Sequence, residues 1–461
     1  MPRRRDEFSE KGAYSSTEPL YSYPMIALLP WGDVIEDFLD AIGVSLEDFS
    51  SKMTGGWLFG YIEALRLQGV RSTIFCFSDR VKDTVRKVHK GTGAEIVVLR
   101  APAIYRGVRR HINDPYGWSV EAMFGPAHGL SYQFRRVARH VVPYLATSVM
   151  GLAREVRRAG CCAIICQEYE APRFDASVLI GRLLRIPVFA TYQGGNWQRS
   201  RIERSLRSVT IGRCAGLIIG SASEAARVRN RYGIPAQKIA TIFNPLDLSE
   251  WRLGSRQEAR QNLGIRGTTR VAVWHGRVDI QIKGLDVLLE AWKAVCSSRS
   301  EQDLLLMVVG TGSDADTFDN AIRRMAVPNV RWIRNYVLDR AKMRQYLNAS
   351  DVYVFPSRRE GFPVGPLEAM ACGLPVVAAR APGVVDIFGD GEEYGGITVP
   401  IGDAGSLASN LGRLLDDAAS AHLLGTRARE RVEHAFSLNT VGTQLHELLQ
   451  SSGAWGPKSV R

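Results

Sequence analysis

The sequence predicts an α/β protein built from two doubly wound, Rossmann-like domains that face one another across a cleft. Three observations lead to this. The chain has 461 residues, more than a single hydrophobic core usually supports. Apolar strand-like runs alternate with segments whose apolar positions recur every three or four residues, the pattern of a parallel sheet with helices on both faces. The alternation runs through two cycles, with a break at residues 244–256.

The first cycle opens on MIALL, a buried strand that ends at Pro30. An acidic amphipathic segment, VIEDFLDAIGVSLEDF, precedes MTGGWLFGYIEALRLQGV, a helix entered through Gly55 and Gly56. STIFCFS reads as a strand, VKDTVRKVHKG as a helix and AEIVVLRAP as a strand. After a long basic helical region come CAIIC, a helix around SVLIGRLLR, the strand PVFATY and the helix NWQRSRIERSLRSVTIGRC. The strand AGLIIGS, the helix SEAARVRNRYG and the run KIATIFNPLDL close the cycle. The second cycle pairs the strands TRVAVWHGR, LLLMVVGTG, VRWIRNY, DVYVFPS and PVVAAR with the helices LDVLLEAWKAV, TFDNAIRRM, RAKMRQYLNAS and GPLEAMACG. The expected division is a tail at 1–24, a first domain at 25–247, a second at 248–435, and a final helix with its tail at 436–461.

Composition narrows the class. A 45% hydrophobic and 23% charged chain is an ordinary globular protein, neither fibrous nor disordered. The longest apolar stretch, VVPYLATSVMGLA, is too short to span a bilayer and contains Pro143. The N-terminal residues carry charge without an apolar core behind it, so no secretory signal is expected. Seven cysteines are an odd number, scattered through apolar runs, which points to a reducing cytoplasm rather than a disulfide framework. CCAIIC matches no common zinc spacing and reads as buried small side chains.

The formal charge of +12 is uneven. Residues 1–250 hold 34 Lys and Arg against 24 Asp and Glu, whereas residues 251–461 hold 25 against 23. Arg135, Arg136 and Arg139, and Arg154, Arg157 and Arg158, recur at helical spacing and would form stripes. Such stripes suit a solvated face, an anionic membrane surface or a phosphate-bearing acceptor. No nucleic-acid module accompanies the charge, and no nucleic-acid partner is expected.

Chemistry concentrates at the carboxyl ends of strands, where open parallel sheets bind ligands. In SRREGFPVGPLEAMACGLPVVA, Glu360 lies in a loop and Glu368 in the first turn of the helix that follows Pro366. Carboxylates accept hydrogen bonds from polyol hydroxyls, and a helix start favours an anion between them. In WHGRVDIQIKGLD, Arg277 and Lys283 flank a βα loop and suit a diphosphate, Arg by its fork and Lys as a point charge. In VVGTGSDAD, Gly310 and Gly312 form a tight turn, and Asp314 with Asp316 makes a DxD that the turn itself already explains.

The order HGR, KGLD, VGTG and SRREGFPVGPLEAMACGLPVVAA resembles the retaining, two-domain glycosyltransferases of family 4, which have the GT-B fold. The likeness spans most of residues 25–450 and is dense only in the second half. It implies a nucleoside-diphosphate sugar as donor substrate, with no other cofactor and no metal, and a hydroxyl acceptor, lipid-linked or glycan. It implies that Arg277 and Lys283 hold the diphosphate, Glu368 the ribose and Glu360 the transferred sugar, assisted by backbone at Gly361 and Phe362. Gly310, Gly312, Pro363 and Val364 complete the expected donor set, and Glu360, Arg277 and Lys283 the catalytic one. Gly55 and Gly56 are expected against the donor phosphates or acceptor, and the final helix is expected to cross back to the first domain.

Two departures stand out. Where such enzymes often carry a histidine after the strand PVFATY, this chain has Tyr192 and Gln193, leaving His128, Glu168 and Glu170 as other acceptor-side candidates. NPLD at 244–247 replaces the more usual asparagine-glycine turn and reads as a tolerated variant. A sugar-nucleotide epimerase or a non-catalytic nucleotide-sugar-binding protein would share the architecture. Release of free sugar without an acceptor marks the first, and indifference of product formation to loss of Glu360 or Lys283 marks the second.

Overall fold

The structure, a computed structural model, describes residues 23–455 except 31, 116, 118, 127, 195–200 and 390–391. Most of the expected N-terminal tail, the start of the NWQRSRIERS helix and the last six residues lie outside that set.

The first sheet contains β1 (Met25–Leu29), β2 (Arg71–Ser78), β3 (Val85–Val88), β4 (Glu95–Arg100), β5 (Cys161–Gln167), β6 (Val188–Thr191), β7 (Gly216–Ile218) and β8 (Ile239–Ala240), in the order β3-β4-β2-β1-β5-β6-β7-β8. The second contains β9 (Arg270–His275), β10 (Leu304–Val309), β11 (Val330–Ile333), β12 (Val352–Phe355), β13 (Val376–Ala379) and β14 (Gly396–Val399), in the order β11-β10-β9-β12-β13-β14. Every pairing is parallel except β3 with β4. The two-domain, doubly wound α/β class read from the sequence is therefore the class observed.

One element differs. VKDTVRKVHKG is not a helix: its centre is β3, paired with β4 through Val85–Val98 and Val88–Glu95. Its alternating exposure is that of an edge strand. Arg86 and Lys87 pair with Glu95 and Glu47, and His89 is buried at the turn, stacked on Phe59 with Nε2 2.8 Å from the Met53 carbonyl. Cross-strand and tertiary contacts overrode a segment whose composition suits a helix.

Each sheet is covered on both faces. On one side of the first, Phe75, Val97 and Ile164 pack under helices that contribute Tyr105, Val142, Leu152 and Phe174. On its other side Ile26, Ile74 and Ile165 meet Trp57, Phe59 and Leu65, joined by Val441, Leu445 and Leu449 of the final helix, Leu438–Ser451. That helix approaches the Gly56–Leu67 helix so closely that a Cβ on Gly442 would lie 2.5 Å from the Ala64 carbonyl. The chain thus passes between the sheets twice, near 246 and near 437. The two passages touch: the Leu246 amide donates to the Phe436 carbonyl at 2.7 Å, and Leu246 bridges to Ser437.

Candidate functional site

In the second sheet β9 lies between β10 and β12, so successive connections leave in opposite directions and a crevice opens at their carboxyl ends. Three loops meet there. The loops after β9 and β10 are joined backbone to backbone: Gly276 N donates to Val309 O at 3.0 Å and Val278 N to Thr311 O at 3.0 Å. Glycine is required, since a Cβ on Gly310 would sit 1.9 Å from the Gly276 carbonyl and one on Gly312 would sit 2.3 Å from that of Val278. The DxD is divided between two tasks. Asp314 Oδ2 accepts from Ile280 N at 2.9 Å, while Asp316 pairs with Arg334.

Lys283 ends the short helix Ile280–Lys283, and Gly284 turns the chain with φ 64° into the helix Leu285–Ser297. A side chain at Gly284 would strike the Pro356 carbonyl at 2.1 Å, so this turn lies directly on the loop after β12. Arg358 locks the two together, its fork donating to both Asp286 oxygens at 2.7 Å. Burial alone would raise the Asp286 carboxyl, and the Arg358 fork outweighs it, holding the carboxyl below its ordinary value. With this scaffold set, Lys283 Nζ donates to Glu360 Oε1 at 2.7 Å, the two side chains only 19% and 10% exposed. Arg277, in the same loop, is 42% exposed and stands 3.9 Å from Asp279.

Glu368 belongs to the helix Gly365–Ala371 and faces β9 rather than its own helix start. Its Oε2 lies 2.7 Å from His275 Nε2, which carries the proton because a carboxylate only accepts. His275 stacks edge-on with Tyr353, whose hydroxyl donates to the His275 carbonyl at 3.3 Å. Burial, and then the Glu368 carboxylate, push the Tyr353 phenol well above its ordinary value, so it stays protonated. Gly365 leaves room for this pair: a Cβ there would lie 2.9 Å from the Tyr353 hydroxyl and 3.4 Å from His275 Nε2.

Gly361 and Phe362 meet the first domain. A Cβ on Gly361 would fall 2.2 Å from both Gln193 C and Gly194 N. Phe362 stacks on Phe243 at 5.0 Å and, through its carbonyl, accepts from Asn244 Nδ2 at 3.3 Å. Asn244 and Gln193 exchange side-chain hydrogen bonds at 2.8 and 3.1 Å. Elsewhere along the cleft Asp386 accepts from the Ala222 amide at 2.9 Å, and Arg340 Nη2 stands 3.4 Å from the Cβ position of Gly55. Gly55, with φ 73°, begins the Gly56–Leu67 helix, and the Cβ position of Gly56 is open.

The other first-domain candidates separate. Glu168, at φ 62° beyond β5, accepts from the Gln193 amide at 2.7 Å and so shapes the cleft wall. Glu170 is buried in a network with Arg227 and Tyr232, each at 2.9 Å, and Arg227 also reaches Tyr169 and Glu224. Burial raises its carboxyl against the pull of Arg227, and its partners leave it a packing role. Tyr192 is buried against Tyr169. His128 is exposed ahead of the Gly129–Leu145 helix.

The structure therefore brings Lys283, Glu360, Gly310, Gly312 and Glu368 to one crevice, and sets Gly361 and Phe362 against Gln193. Sequence reasoning passed over His275, Asp286, Arg358 and Asn244. All four stand inside motifs named above: His275 at the end of β9, Arg358 just past β12, Asp286 in the first turn of the Leu285–Ser297 helix and Asn244 in NPLD. NPLD is more than a tolerated turn, because Asn244, 3% exposed, ties Gln193 to Phe362. The cysteines are all free, and burial pushes the Cys76 and Cys161 thiols up to about 12 and that of Cys166 up to about 11. No described helix is long and apolar enough to cross a membrane.

Comparison with known proteins agrees with this architecture. Residues 58–250 match the model described as Glycosyltransferase Family 4, and residues 269–417 match Glycosyl transferases group 1. The chain is 30% identical over 227 residues to D-inositol 3-phosphate glycosyltransferase 2 of Catenulispora acidiphila, covering 48% of this chain and 51% of that one. It is 30% identical over 206 residues to the GDP-mannose-dependent monoacylated alpha-(1-6)-phosphatidylinositol monomannoside mannosyltransferase of Corynebacterium glutamicum, covering 42% and 51%. These matches span about half the length of the curated relatives. Among solved structures, HepE of Anabaena in complex with UDP and glucose superposes with a TM-score of 0.65 at 17% identity, covering 92% of this chain and 99% of that one. With both halves matched in order on a GT-B framework, the chain belongs to the group 1 glycosyl transferases of family 4.

Proposed function

We propose that this protein transfers a sugar from a nucleoside-diphosphate sugar to an acceptor hydroxyl, with retention at the anomeric carbon, in the synthesis of a glycolipid or other glycoconjugate. The observation that carries the reading is the Lys283–Glu360 pair at 2.7 Å, set beside Arg277 at the switch point of the second sheet. A cation and a carboxylate that neutralise each other without ligand have the right chemistry to part around one, the ammonium to a phosphate and the carboxylate to sugar hydroxyls. Glu368, steadied by His275, is suited to accept from the ribose. The mannosyltransferase relative is named as GDP-mannose-dependent and the HepE structure holds UDP, which supports a nucleotide donor without selecting its base.

In the proposed reaction the anomeric C–O bond to the β-phosphate loosens, and negative charge accumulates on the departing diphosphate beside Arg277 and Lys283. Positive charge on the sugar ring faces Glu360. The acceptor oxygen attacks from the side the diphosphate leaves, its proton passes to that leaving group, and configuration is kept. Gln193 and Gly194 form the acceptor-side wall opposite Gly361. The free, mostly buried cysteines favour a cytoplasmic setting.

The test is a thermal-shift panel of nucleoside diphosphates and their sugars, followed by transfer assays with the donor that binds. A stabilising nucleotide and acceptor-dependent product, both lost in Lys283→Ala, are expected. Silence across the panel refutes the reading, and sugar turnover that needs no acceptor moves it to an epimerase or hydrolase.

A further inference from the structure

The helix Gly129–Leu145 covers the first sheet, and its apolar arc is wider than the face it buries. On the inner side Val142 is buried, with Tyr132, Ala138 and Leu145 packed against the core. On the outer side Leu130, Phe134, Val137 and Val141 are 90%, 76%, 61% and 47% exposed. Their spacing, at about 100° per residue, gathers all four within an arc of about 60°. A helix on a globular surface normally turns charge, not an extension of its apolar face, toward water.

The surroundings are cationic. Residues 101–158 hold nine arginines and three carboxylates; Arg106, Arg109 and Arg135 bond inward, to the Ala101 carbonyl, Asp37 and the 124–126 carbonyls, whereas Arg110, Arg136, Arg154, Arg157 and Arg158 are exposed. Arg136 is exposed on the same helix, and a shallow depression on the flank turned away from the stripe is lined by Glu121, Tyr132, Arg136, Arg139 and His140. The neighbouring helix Ala103–Arg109, packed on this one, exposes Ile104, and the residue after it, Arg110, is exposed too. An apolar strip within an arginine-rich field is complementary to an anionic bilayer, whose acyl boundary takes the strip while its phosphates take the guanidinium groups. The same field opposes a second copy, because face-to-face association would bring arginines against arginines.

We infer that the Gly129–Leu145 helix seats this protein on anionic membranes, with Leu130, Phe134, Val137 and Val141 inserted and exposed arginines at its flanks, Arg110 and Arg136 among them, on lipid phosphates. The inference rests on this surface alone and does not depend on the proposed transfer reaction. It is tested with the full chain by flotation with vesicles of phosphatidylglycerol and phosphatidylcholine, or of phosphatidylcholine alone. The wild type should float with the anionic vesicles, more weakly with neutral ones, and retain part of its binding at high salt. Phe134→Glu with Val137→Glu should lower the vesicle affinity about tenfold or more, with the melting temperature and the response to nucleoside diphosphate unchanged. As a second measurement, Phe134→Trp should show a blue-shifted emission only when anionic vesicles are present. Wild-type flotation by the double variant, or no vesicle binding by the wild type, overturns the inference. So does concentration-dependent dimerisation that the double variant abolishes while vesicle binding persists.

Discussion

Replacing Glu360 by glutamine separates the two halves of the Lys283–Glu360 pair without changing side-chain shape. At 2.7 Å and an effective dielectric constant near 20, the attraction between the charges is about 6 kcal/mol. Withdrawing both from water costs several kcal/mol, and the side chains keep 19% and 10% of their exposure. The net contribution of such a charge-assisted bond is about 1–3 kcal/mol. Losing about 2 kcal/mol should lower the melting temperature by roughly 4–8 °C for a domain of this size. Binding should move the other way. A nucleoside diphosphate no longer has to take Lys283 from Glu360, so its affinity should rise up to about tenfold for each 1.4 kcal/mol released. Sugar transfer, deprived of the carboxylate facing the ring, should fall about 10²–10³-fold. Melting curves with and without nucleoside diphosphate, and radiolabelled sugar transfer, measure all three. An unliganded variant as stable as the wild type, with an unchanged nucleotide response and unchanged transfer, would refute the exchange of partners proposed for this pair.

Three further outcomes follow from the geometry. Asp286→Asn removes the anchor of Arg358; stability should fall by no more than about 1 kcal/mol, while the donor KM rises and kcat falls as the 357–364 loop loosens, which steady-state kinetics will register. Gly361→Ala drives a Cβ to 2.2 Å from backbone atoms that cannot rotate away; about 1–3 kcal/mol of strain is expected, read as faster hydrogen exchange at the Gln193 amide, and unchanged exchange would contradict the contact. Asp33, beyond β1, has its carboxyl pushed up to about 7 by burial, with Arg173 opposing. The fold therefore holds a proton that the unfolded chain releases near pH 4, so this contribution is complete below that pH and lost as pH rises through 7. Asp33→Asn should gain melting temperature over the wild type between pH 5 and pH 8, and a constant difference would argue against the raised carboxyl.

The parts of the fold written in local pattern were legible. Met25–Leu29, Leu304–Val309 and Val352–Phe355 are short apolar runs closed by turn residues, and burial on both faces leaves them no other reading. Val85–Val88 was not legible, because its strand character comes from β4 and from Glu47 and Glu95, partners distant in sequence. In the candidate site, the residue types at strand ends announced a place for an anion and hydroxyls. Their pairing was hidden: nothing local tells that Lys283 reaches Glu360 across 77 positions, that His275 reaches Glu368 across 93, or that Asn244 rather than a glycine is needed where Gln193 approaches Phe362. Such pairs are set by strand order, which brings β9 beside β12.

The two passages of the chain between the sheets run side by side and are bonded to each other at Leu246 and Phe436. A single tether would let one lobe swivel freely against the other, whereas two adjacent tethers act as a hinge with one axis. A swing that parted Gly361 from Gln193 would be confined by the paired tethers to a single axis. A cut between Phe436 and Leu438 would free the swivel and, with it, the covering of Val441, Leu445 and Leu449 over the first lobe.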